Sequence, residues 1–237
     1  MAEVALVTGA AGNIGRATCA CLARAGYSIL ATDMAPPTDG DGYEWHALDV
    51  TDTDSVAAAF QAATKIGTLK AVVNAHGILR LTEPGSTPAD VMRSIIAVNL
   101  EGVANVLQVA STHVADDGAV VSISSIVANL GRAKGAFVYA STKAGLEALT
   151  RCFAVALGPK GIRVNAVAPG FLSEPMGGEG SNLRSHQGGD DPLIASTPIG
   201  RLVTPAQVAE VIGFLCSSAA TGITGTVIPV DNGQAAL

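Results

Sequence analysis

Charged and aromatic residues are scarce in this chain of 237 residues, at 14% and 4%. The formal net charge is -6 and lysine and arginine form no cluster, which argues against a nucleic-acid partner and against binding to an anionic membrane surface. No apolar run reaches the length of a membrane span, and a strand-like segment begins by Glu3, which leaves no room for a signal peptide. We therefore expect a soluble, cytoplasmic protein.

Cysteines are few, and the four present lack the spacing of metal ligands. Cys19 and Cys21 are two residues apart on a predicted helix, where their side chains diverge. Cys152 and Cys216 stand far from them and from each other in the sequence. We expect free, mostly buried thiols and no metal site.

Small and β-branched residues are abundant, and they suit parallel strands covered on both faces by closely packed helices. Apolar segments predict strands at 3–8, 28–32, 45–48, 69–73, 119–123, 162–168 and 226–230, and helical patterns predict helices at 16–25, 52–65, 87–114, 137–157 and 205–217. This alternation predicts right-handed crossovers and one Rossmann-like, doubly wound parallel sheet of about seven strands in a single domain, 1–237. The irregular, glycine-rich region 171–198 is predicted to be a substrate-binding lid loop within it.

A glycine-rich turn, Thr8-Gly-Ala-Ala-Gly-Asn-Ile-Gly15, connects the first predicted strand to the first helix. In this context glycines allow the backbone to approach a pyrophosphate, whose charge is met by the N–H groups at the start of the helix. An ordinary tight turn is the alternative. The sequence therefore predicts a dinucleotide site here.

Asp33 ends the second predicted strand, 18 residues after Gly15. A carboxylate at this position accepts hydrogen bonds from the adenosine ribose hydroxyls and repels a 2′-phosphate, so it favours NAD over NADP. The alternative role of Asp33 is that of a turn residue at a strand end. Arg16 keeps NADP open as the less favoured cofactor, because its guanidinium could meet a 2′-phosphate.

Tyr139 and Lys143 lie four residues apart in a predicted helix and therefore share one face. An ammonium beside a phenol stabilises the phenolate and moves the tyrosine pKa towards the range needed for acid/base catalysis. Ligands of parallel sheets bind beyond the carboxyl ends of the strands. That rule predicts Ser125, which follows the fifth predicted strand, on the same rim as Tyr139.

With these motifs in view, the chain resembles the short-chain dehydrogenase/reductase family, in its short single-domain form, over nearly all of its length. The resemblance rests on motifs in family order: Thr8-Gly9 to Gly15, Asp33, Asp49-Val50, Asn74-Ala75-x-Gly77, Asn99, Ser125, Tyr139-x-x-x-Lys143 and Pro169-Gly170. The likeness implies that Tyr139 is the catalytic acid/base and that Lys143 lowers its pKa and holds the nicotinamide ribose. It also implies that Ser125 bonds the reacting oxygen and that Asn99 anchors a water in a proton relay.

The resemblance further implies an NAD-dependent oxidoreductase that acts on a small alcohol or ketone as a homotetramer or homodimer. Ile14 would lie near the nicotinamide, and Asp49 and Val50 would contact the adenine. The implied cofactor-binding set is Gly9, Gly12, Asn13, Ile14, Gly15, Asp33, Asp49, Val50, Asn74, Ala75, Gly77, Tyr139, Lys143, Pro169, Gly170 and Leu172.

Four positions depart from the family pattern. Asn13 stands where short-form members carry glycine, and asparagine tolerates a left-handed backbone better than most residues. His76 interrupts the Asn-Asn-Ala-Gly motif near the cleft, where it could titrate, but a neutral histidine that fills space is the favoured interpretation. Glu174, with Ser173 adjacent, replaces the threonine that contacts the nicotinamide carboxamide. The fourth departure is spacing: Ser125 precedes Tyr139 by 14 residues where 13 is common, so Ser124 is a second candidate.

A different class of function also fits these motifs, namely a catalytically silent module of the same fold that senses a dinucleotide. Such a module has no need to keep Ser125, Tyr139 and Lys143 together. Their presence favours the enzyme.

Overall fold

The computed structural model describes residues 2–37, 42–130, 135–174 and 192–237. Along the chain, the strands and α-helices are β1 (Glu3–Thr8), α1 (Asn13–Arg24), β2 (Ser28–Asp33), β3 (Glu44–Ala47), α2 (Thr53–Ile66), β4 (Thr68–Asn74), α3 (Ala89–Ile96), α4 (Gly102–His113), β5 (Ala119–Ile123), α5 (Phe137–Leu157), β6 (Arg163–Pro169), α6 (Pro192–Ala195), α7 (Pro205–Cys216) and β7 (Val227–Val230). Short 3₁₀ turns occupy Ile126–Ala128, Gly158–Lys160, Ser218–Ala220 and Gln234–Ala236.

The seven strands form one sheet in the order β3-β2-β1-β4-β5-β6-β7, and every neighbouring pair is parallel. The order reverses between β1 and β4, which opens a crevice at the carboxyl ends of these two strands. The predicted Rossmann-like, doubly wound sheet is confirmed. The crevice is where ligands bind in such sheets.

Two apolar layers cover the sheet. On one face, strand residues such as Leu6 and Val72 pack with α2, α4 and α5 through residues that include Phe60 and Leu107. On the other face, Val7 and its neighbours pack with α1 and α7. The central strands are buried on both faces, which explains why their sequences are continuous apolar runs and do not alternate.

Several predicted bounds agree closely with the structure. The fifth strand and the helix of Tyr139 begin and end at the predicted residues, whereas the third strand lies one residue earlier than predicted. Asp52 caps α2 by accepting a hydrogen bond from the Asp54 N–H. Thr204 caps α7 in a capping box with Gln207.

The predicted helix 87–114 is interrupted by a π-helical turn at Ala97–Glu101, which separates α3 from α4. The stretch Ala89–His113 is long and apolar enough to cross a membrane by length and composition, so the expectation that no segment reaches this length was wrong. Its inner face, with Ile95, Val106 and Leu107 fully buried, packs into the protein. A buried core helix of a globular domain can have the same length and apolar composition as a membrane span.

Residues 175–191 of the predicted lid lie outside the described residues, so the lid stays a prediction. The described part of the region 171–198 includes α6, which shows that this region is not irregular throughout.

Candidate active site

The glycine-rich turn needs two of its glycines for steric reasons. Gly9 has φ +64°, and a Cβ there would lie 2.6 Å from the His76 backbone. A Cβ on Gly15 would collide with the Gly9 carbonyl oxygen. The turn therefore packs its backbone directly against the segment that follows β4.

Helix α1 begins at Asn13, with Gly12 as an extended N-cap (φ -75°, ψ 165°). The positive φ in this turn belongs to Gly9, so the left-handed tolerance expected of Asn13 is not used. No side chain caps this helix at Gly12, and its first turn, which includes Ile14, holds no acidic residue. Such a helix N-terminus can meet the charge of a pyrophosphate with its backbone N–H groups.

Asp33 faces the same turn from the end of β2. Its Oδ2 accepts a hydrogen bond from the Ala11 N–H at 3.1 Å. On the outer side of the turn, Arg16 Nε donates to the Ala11 carbonyl oxygen at 3.0 Å. The predicted acidic residue is thus fixed beside the glycine-rich turn, with the guanidinium of Arg16 close by.

The loop after β3 carries Asp49 and Val50. Asp49 Oδ1 accepts from Thr51 Oγ1 at 2.7 Å and from the Thr51 N–H at 2.9 Å, and these bonds lower the pKa of the Asp49 carboxyl. Asn105 Nδ2 donates to the Val50 carbonyl oxygen at 3.0 Å. The predicted adenine-binding loop is therefore held in shape by its own bonds and by α4.

Asn74 ends β4, and its side chain is buried within the sheet. Its Nδ2 donates to Ser122 Oγ at 3.0 Å, and the next N–H, of Ala75, donates to the Thr8 carbonyl oxygen at 3.2 Å. Gly77 follows so closely against the site that a Cβ there would lie 3.6 Å from Lys143 Nζ. The Asn74 side chain thus joins neighbouring strands beneath the site.

His76 is buried between the glycine-rich turn, at Gly9, and Lys143. Its Nδ1 lies 2.6 Å from Thr8 Oγ1, while Nε2 is buried without a hydrogen-bond partner among the described residues. Burial, and secondarily the positive charge of Lys143, lowers the pKa of His76 to about 3. The imidazole is therefore neutral at physiological pH, as the sequence suggested.

Asn99 lies at the centre of the π-helical turn and is fully buried. Its Oδ1 accepts from the Ile78 N–H and its Nδ2 donates to the Ile78 carbonyl oxygen, both at 2.8 Å. π-Helical turns are frequent at functional sites because they redirect side chains from a helix. The turn aims Asn99 at the loop after β4, next to Lys143.

Tyr139 and Lys143 lie side by side on α5, with Lys143 Nζ 5.6 Å from the centroid of the Tyr139 ring. Lys143 is 2% exposed and donates a hydrogen bond to the Ile123 carbonyl oxygen at 2.7 Å. Burial lowers the pKa of Lys143 to about 8. The ammonium therefore sits at the carboxyl end of β5, where the sequence placed the site.

The Tyr139 phenol does not show the lowered pKa that was expected. Burial raises the pKa of Tyr139 to about 12, and a hydrogen bond with the Ser125 side chain only partly opposes that rise. Removing the phenol from water disfavours the phenolate, and this is the larger of the two effects on the Tyr139 pKa. The phenol is protonated at neutral pH in this structure.

Ser125, and not Ser124, has the hydroxyl that meets Tyr139. Ser124 is buried, and its Oγ donates to Glu147 Oε1 at 2.8 Å. Because that hydroxyl is committed to a carboxylate, Ser124 is not available to a substrate. Of the two serines that the spacing left open, Ser125 is therefore the one beside the phenol, and its catalytic role stays a prediction.

The segment after β6 continues the rim. The Gly170 N–H donates to the Val230 carbonyl oxygen at 3.0 Å, and Leu172 forms an isolated parallel bridge with Val203. Glu174 is exposed, while Ser173 donates its backbone N–H to Val203 at 2.8 Å. Pro169 to Leu172 therefore lie on the strand-end rim beside β7.

Two buried polar residues of this region were not singled out from the sequence. Glu147 lies four residues after Lys143 on the buried side of α5, and this helical spacing was a signal in the sequence. Gln234 is buried near the chain end and bonds the Phe171 N–H and the Ser196 hydroxyl. Its partners are 63 and 38 residues away, so no local pattern indicates it.

A family model described as enoyl-(acyl carrier protein) reductase matches residues 9–235. A cis-4-hydroxycyclohexanecarboxylate dehydrogenase of Sinomonas cyclohexanicum is 39% identical to the chain over 249 residues, which cover 99% of this chain and 97% of that protein. The match therefore runs through every element of the site.

Solved structures agree with these sequence matches. A short-chain dehydrogenase/reductase from Serratia marcescens superposes with a TM-score of 0.88 at 28% identity and covers 98% of each chain. A structure described as ElxO with NADP bound gives the same TM-score and identity and covers 100% of both chains. The similarity extends over the whole fold.

Proposed function

Because the chain belongs to the short-chain dehydrogenase/reductase family, whose members are oxidoreductases that use a nicotinamide dinucleotide, we propose that it transfers a hydride between NAD(H) and a small alcohol or ketone. The observation that carries this proposal is the buried pairing of Tyr139 with Lys143, beside the Ser125 hydroxyl, at the strand-end rim. Hydride transfer to a carbonyl carbon leaves an alkoxide that needs a proton, and a phenol at this position supplies it.

The described residues fit a nicotinamide dinucleotide. The uncapped start of α1 at Gly12 suits the pyrophosphate, and Asp33 suits unmodified ribose hydroxyls. The cofactor, when bound, supplies or accepts the hydride. The NADP in the ElxO structure makes NADP the competing candidate, and the negative charge of Asp33 supports NAD for this chain.

The protonation states support the following roles for the side chains. With a pKa of about 12, Tyr139 holds its proton at neutral pH and acts as the acid in carbonyl reduction. Ser125 bonds the substrate oxygen, and Lys143 would hold the nicotinamide ribose while its charge attracts the developing phenolate. The proton that Tyr139 gives up returns from solvent by way of Asn99 and then Lys143, and the Asn99 amide holds the Ile78 carbonyl oxygen on that path.

The substrate proposed for this site is a small alcohol or ketone with an apolar body. Tyr139 packs with Ile95 and Val138, and Ile78 and Val127 pack against this group, so aliphatic side chains surround the phenol. An aliphatic lining of this kind favours binding of a hydrocarbon ring or chain over binding of a highly charged molecule. The cyclohexane ring in the name of the Sinomonas relative agrees with this chemistry.

Assembly into a homotetramer or homodimer is part of the proposal. The outer face of α5 carries Cys152, which is exposed, and Val155, which is 81% exposed. An apolar side chain so fully exposed on a long helix suits contact with a second copy of the chain.

The direct test follows nicotinamide absorbance with cyclic and open-chain secondary alcohols and ketones, each with and without a carboxylate. Wild type is expected to turn over members of the panel, and Tyr139→Phe is expected to lose at least about a hundredfold in kcat while NADH binding, followed by fluorescence, is kept. Ser141→Ala, an exposed position on the same helix, is the control. If wild type and Tyr139→Phe bind NADH equally well and are equally inert across the panel, the dinucleotide-sensing module replaces the enzyme.

A further inference from the structure

Glu147 is a buried carboxylate on the helix that carries Tyr139 and Lys143. It is 4% exposed and comes four residues after Lys143 and eight after Tyr139, so the three side chains follow one another along the same side of α5. A carboxylate in such a position is costly unless hydrogen bonds satisfy it. Its partners therefore show what the fold uses it for.

Both carboxylate oxygens are engaged, each by a different donor. Oε1 accepts from Ser124 Oγ at 2.8 Å, and Oε2 accepts from Asn129 Nδ2 at 3.0 Å. Ser124 immediately precedes Ser125, and Asn129 ends the 3₁₀ turn that follows it. One carboxylate thus binds the chain on both sides of the catalytic serine.

Ser125 bonds Tyr139 through its side chain, its carbonyl oxygen accepts from the Ala128 N–H at 3.0 Å, and one further bond holds its hydroxyl within the loop. Ser125 Oγ accepts from the Val127 N–H at 3.4 Å, a long and therefore weak bond. Its hydroxyl must nevertheless meet the same substrate oxygen as the Tyr139 phenol, which comes from a different element. A displacement of about 1 Å between reacting groups can lower the reaction rate by about a hundredfold.

We propose that Glu147 is a positioning residue for Ser125. It ties the serine loop to α5 at Ser124 and Asn129, and so sets the distance between the Ser125 hydroxyl and the Tyr139 phenol. The inference rests on the proposed function, because it concerns the same site.

The test compares two variants at position 147. Glu147→Ala removes both anchors and is expected to lower kcat by about ten- to a hundredfold, with NADH binding unchanged because the glycine-rich turn and Asp33 are not touched. Glu147→Gln has an oxygen for Asn129 and an NH₂ for the Ser124 hydroxyl, so it is expected to keep at least about a third of the wild-type kcat. Glu210→Ala, which removes an exposed carboxylate on α7, is the control.

A double-mutant cycle distinguishes positioning from general support of the fold. In the Ser125→Ala background, Glu147→Ala is expected to cause less than about a twofold further loss, because Glu147 acts through the serine hydroxyl. A full multiplicative loss in that background overturns the inference. If Glu147→Ala does not fold, Asn129→Ala, which removes one anchor, takes its place in the same cycle.

The two proposals fail differently. A wild-type protein that oxidises or reduces no member of the panel contradicts the proposed function. An active wild type together with a folded Glu147→Ala variant of unchanged kcat contradicts only the positioning role.

Discussion

The carboxylate of Asp33 accepts a hydrogen bond from the backbone N–H of Ala11, at 3.1 Å, across the mouth of the cofactor crevice. This bond joins the end of β2 to the glycine-rich turn after β1. It gives Asp33 a fixed orientation in the free protein. A side chain held in this way provides its charge at a defined point, where it can discriminate between a ribose hydroxyl and a phosphate.

We predict that NADH binds much more tightly than NADPH and that Asp33→Asn narrows the difference by about tenfold or more, since it removes the repulsive charge. The asparagine retains an oxygen for the Ala11 N–H, whereas Asp33→Ala removes it. Binding of both cofactors is measured by fluorescence titration. An unchanged preference in Asp33→Asn would rule out the role given to this charge.

Lys143 should impose a pH limit on carbonyl reduction. Its pKa is lowered from 10.5 to about 8 by burial, so the ammonium loses its proton as the pH rises through about 8. We expect kcat/KM for reduction to fall above that pH, while Tyr139, with a pKa of about 12, keeps its proton. The profile is measured between about pH 6 and 10.

The matched variants for this limit are Lys143→Arg and Lys65→Arg. Arginine stays charged, so the fall is expected to disappear in Lys143→Arg, even if its rate is lower throughout. Lys65→Arg, at an exposed position on α2, should keep the wild-type profile. A wild-type rate that is flat through pH 8 contradicts the prediction.

His76 should make the fold sensitive to acid. Burial lowers its pKa from 6.5 to about 3, so between these values the unfolded chain binds a proton that the folded protein does not. The free energy of unfolding therefore falls as the pH drops from 6.5 towards 3, by up to about 1.4 kcal/mol per pH unit from this group. Urea titrations across that range measure it.

The comparison variant for His76 is His76→Gln, which does not titrate. It is expected to be less stable than wild type at pH 7, and the difference should shrink as the pH falls. His46→Gln, on the edge strand β3, controls for loss of a histidine outside the site. A constant difference between His76→Gln and wild type at all pH values would show that His76 binds a proton as readily in the folded protein as in the unfolded chain, which contradicts the lowered pKa.

Gln234 should stabilise the chain end against the active-site rim. Its Oε1 accepts from the Phe171 N–H at 3.3 Å and its Nε2 donates to Ser196 Oγ at 2.8 Å. We expect Gln234→Leu to lower the free energy of unfolding by about 1–3 kcal/mol, because it removes two hydrogen bonds, each with a net contribution of about 0.5–1.5 kcal/mol. Gln234→Glu keeps an acceptor for the Phe171 N–H but no donor for Ser196 Oγ, and it should lose less than Gln234→Leu. Equal stability of the two variants, measured in urea, would contradict this.

Much of the fold follows from local patterns in the sequence. Continuous apolar runs predict strands buried on both faces, and the glycine-rich turn after β1 identifies the strand that borders the crevice. The spacing of Tyr139 and Lys143 places them on one helical face whatever the rest of the chain does. Ligands of parallel sheets bind beyond the carboxyl ends of the strands, and this rule predicts that Asp33, Ser125 and Tyr139 lie at one rim of the sheet.

Other features depend on contacts between residues far apart in the chain. The helical pattern of 87–114 does not predict the π-helical turn around Asn99. The Asn99 side chain bonds the backbone of Ile78, which lies 21 residues earlier in a different segment. The choice of Ser125 over Ser124 required the position of Glu147, 23 residues from Ser124. The pairing of Thr8 with His76 spans 68 residues.

The sequence alone determined the order of the elements, the family resemblance and the residue types at the site, because periodicity and turn chemistry are properties of neighbouring residues. Only the tertiary structure decided the protonation of Tyr139. Sequence spacing shows that Lys143 lies near the phenol, but the pKa depends on how completely both groups are removed from water. Burial is a property of the whole fold, and here it raises the pKa of Tyr139.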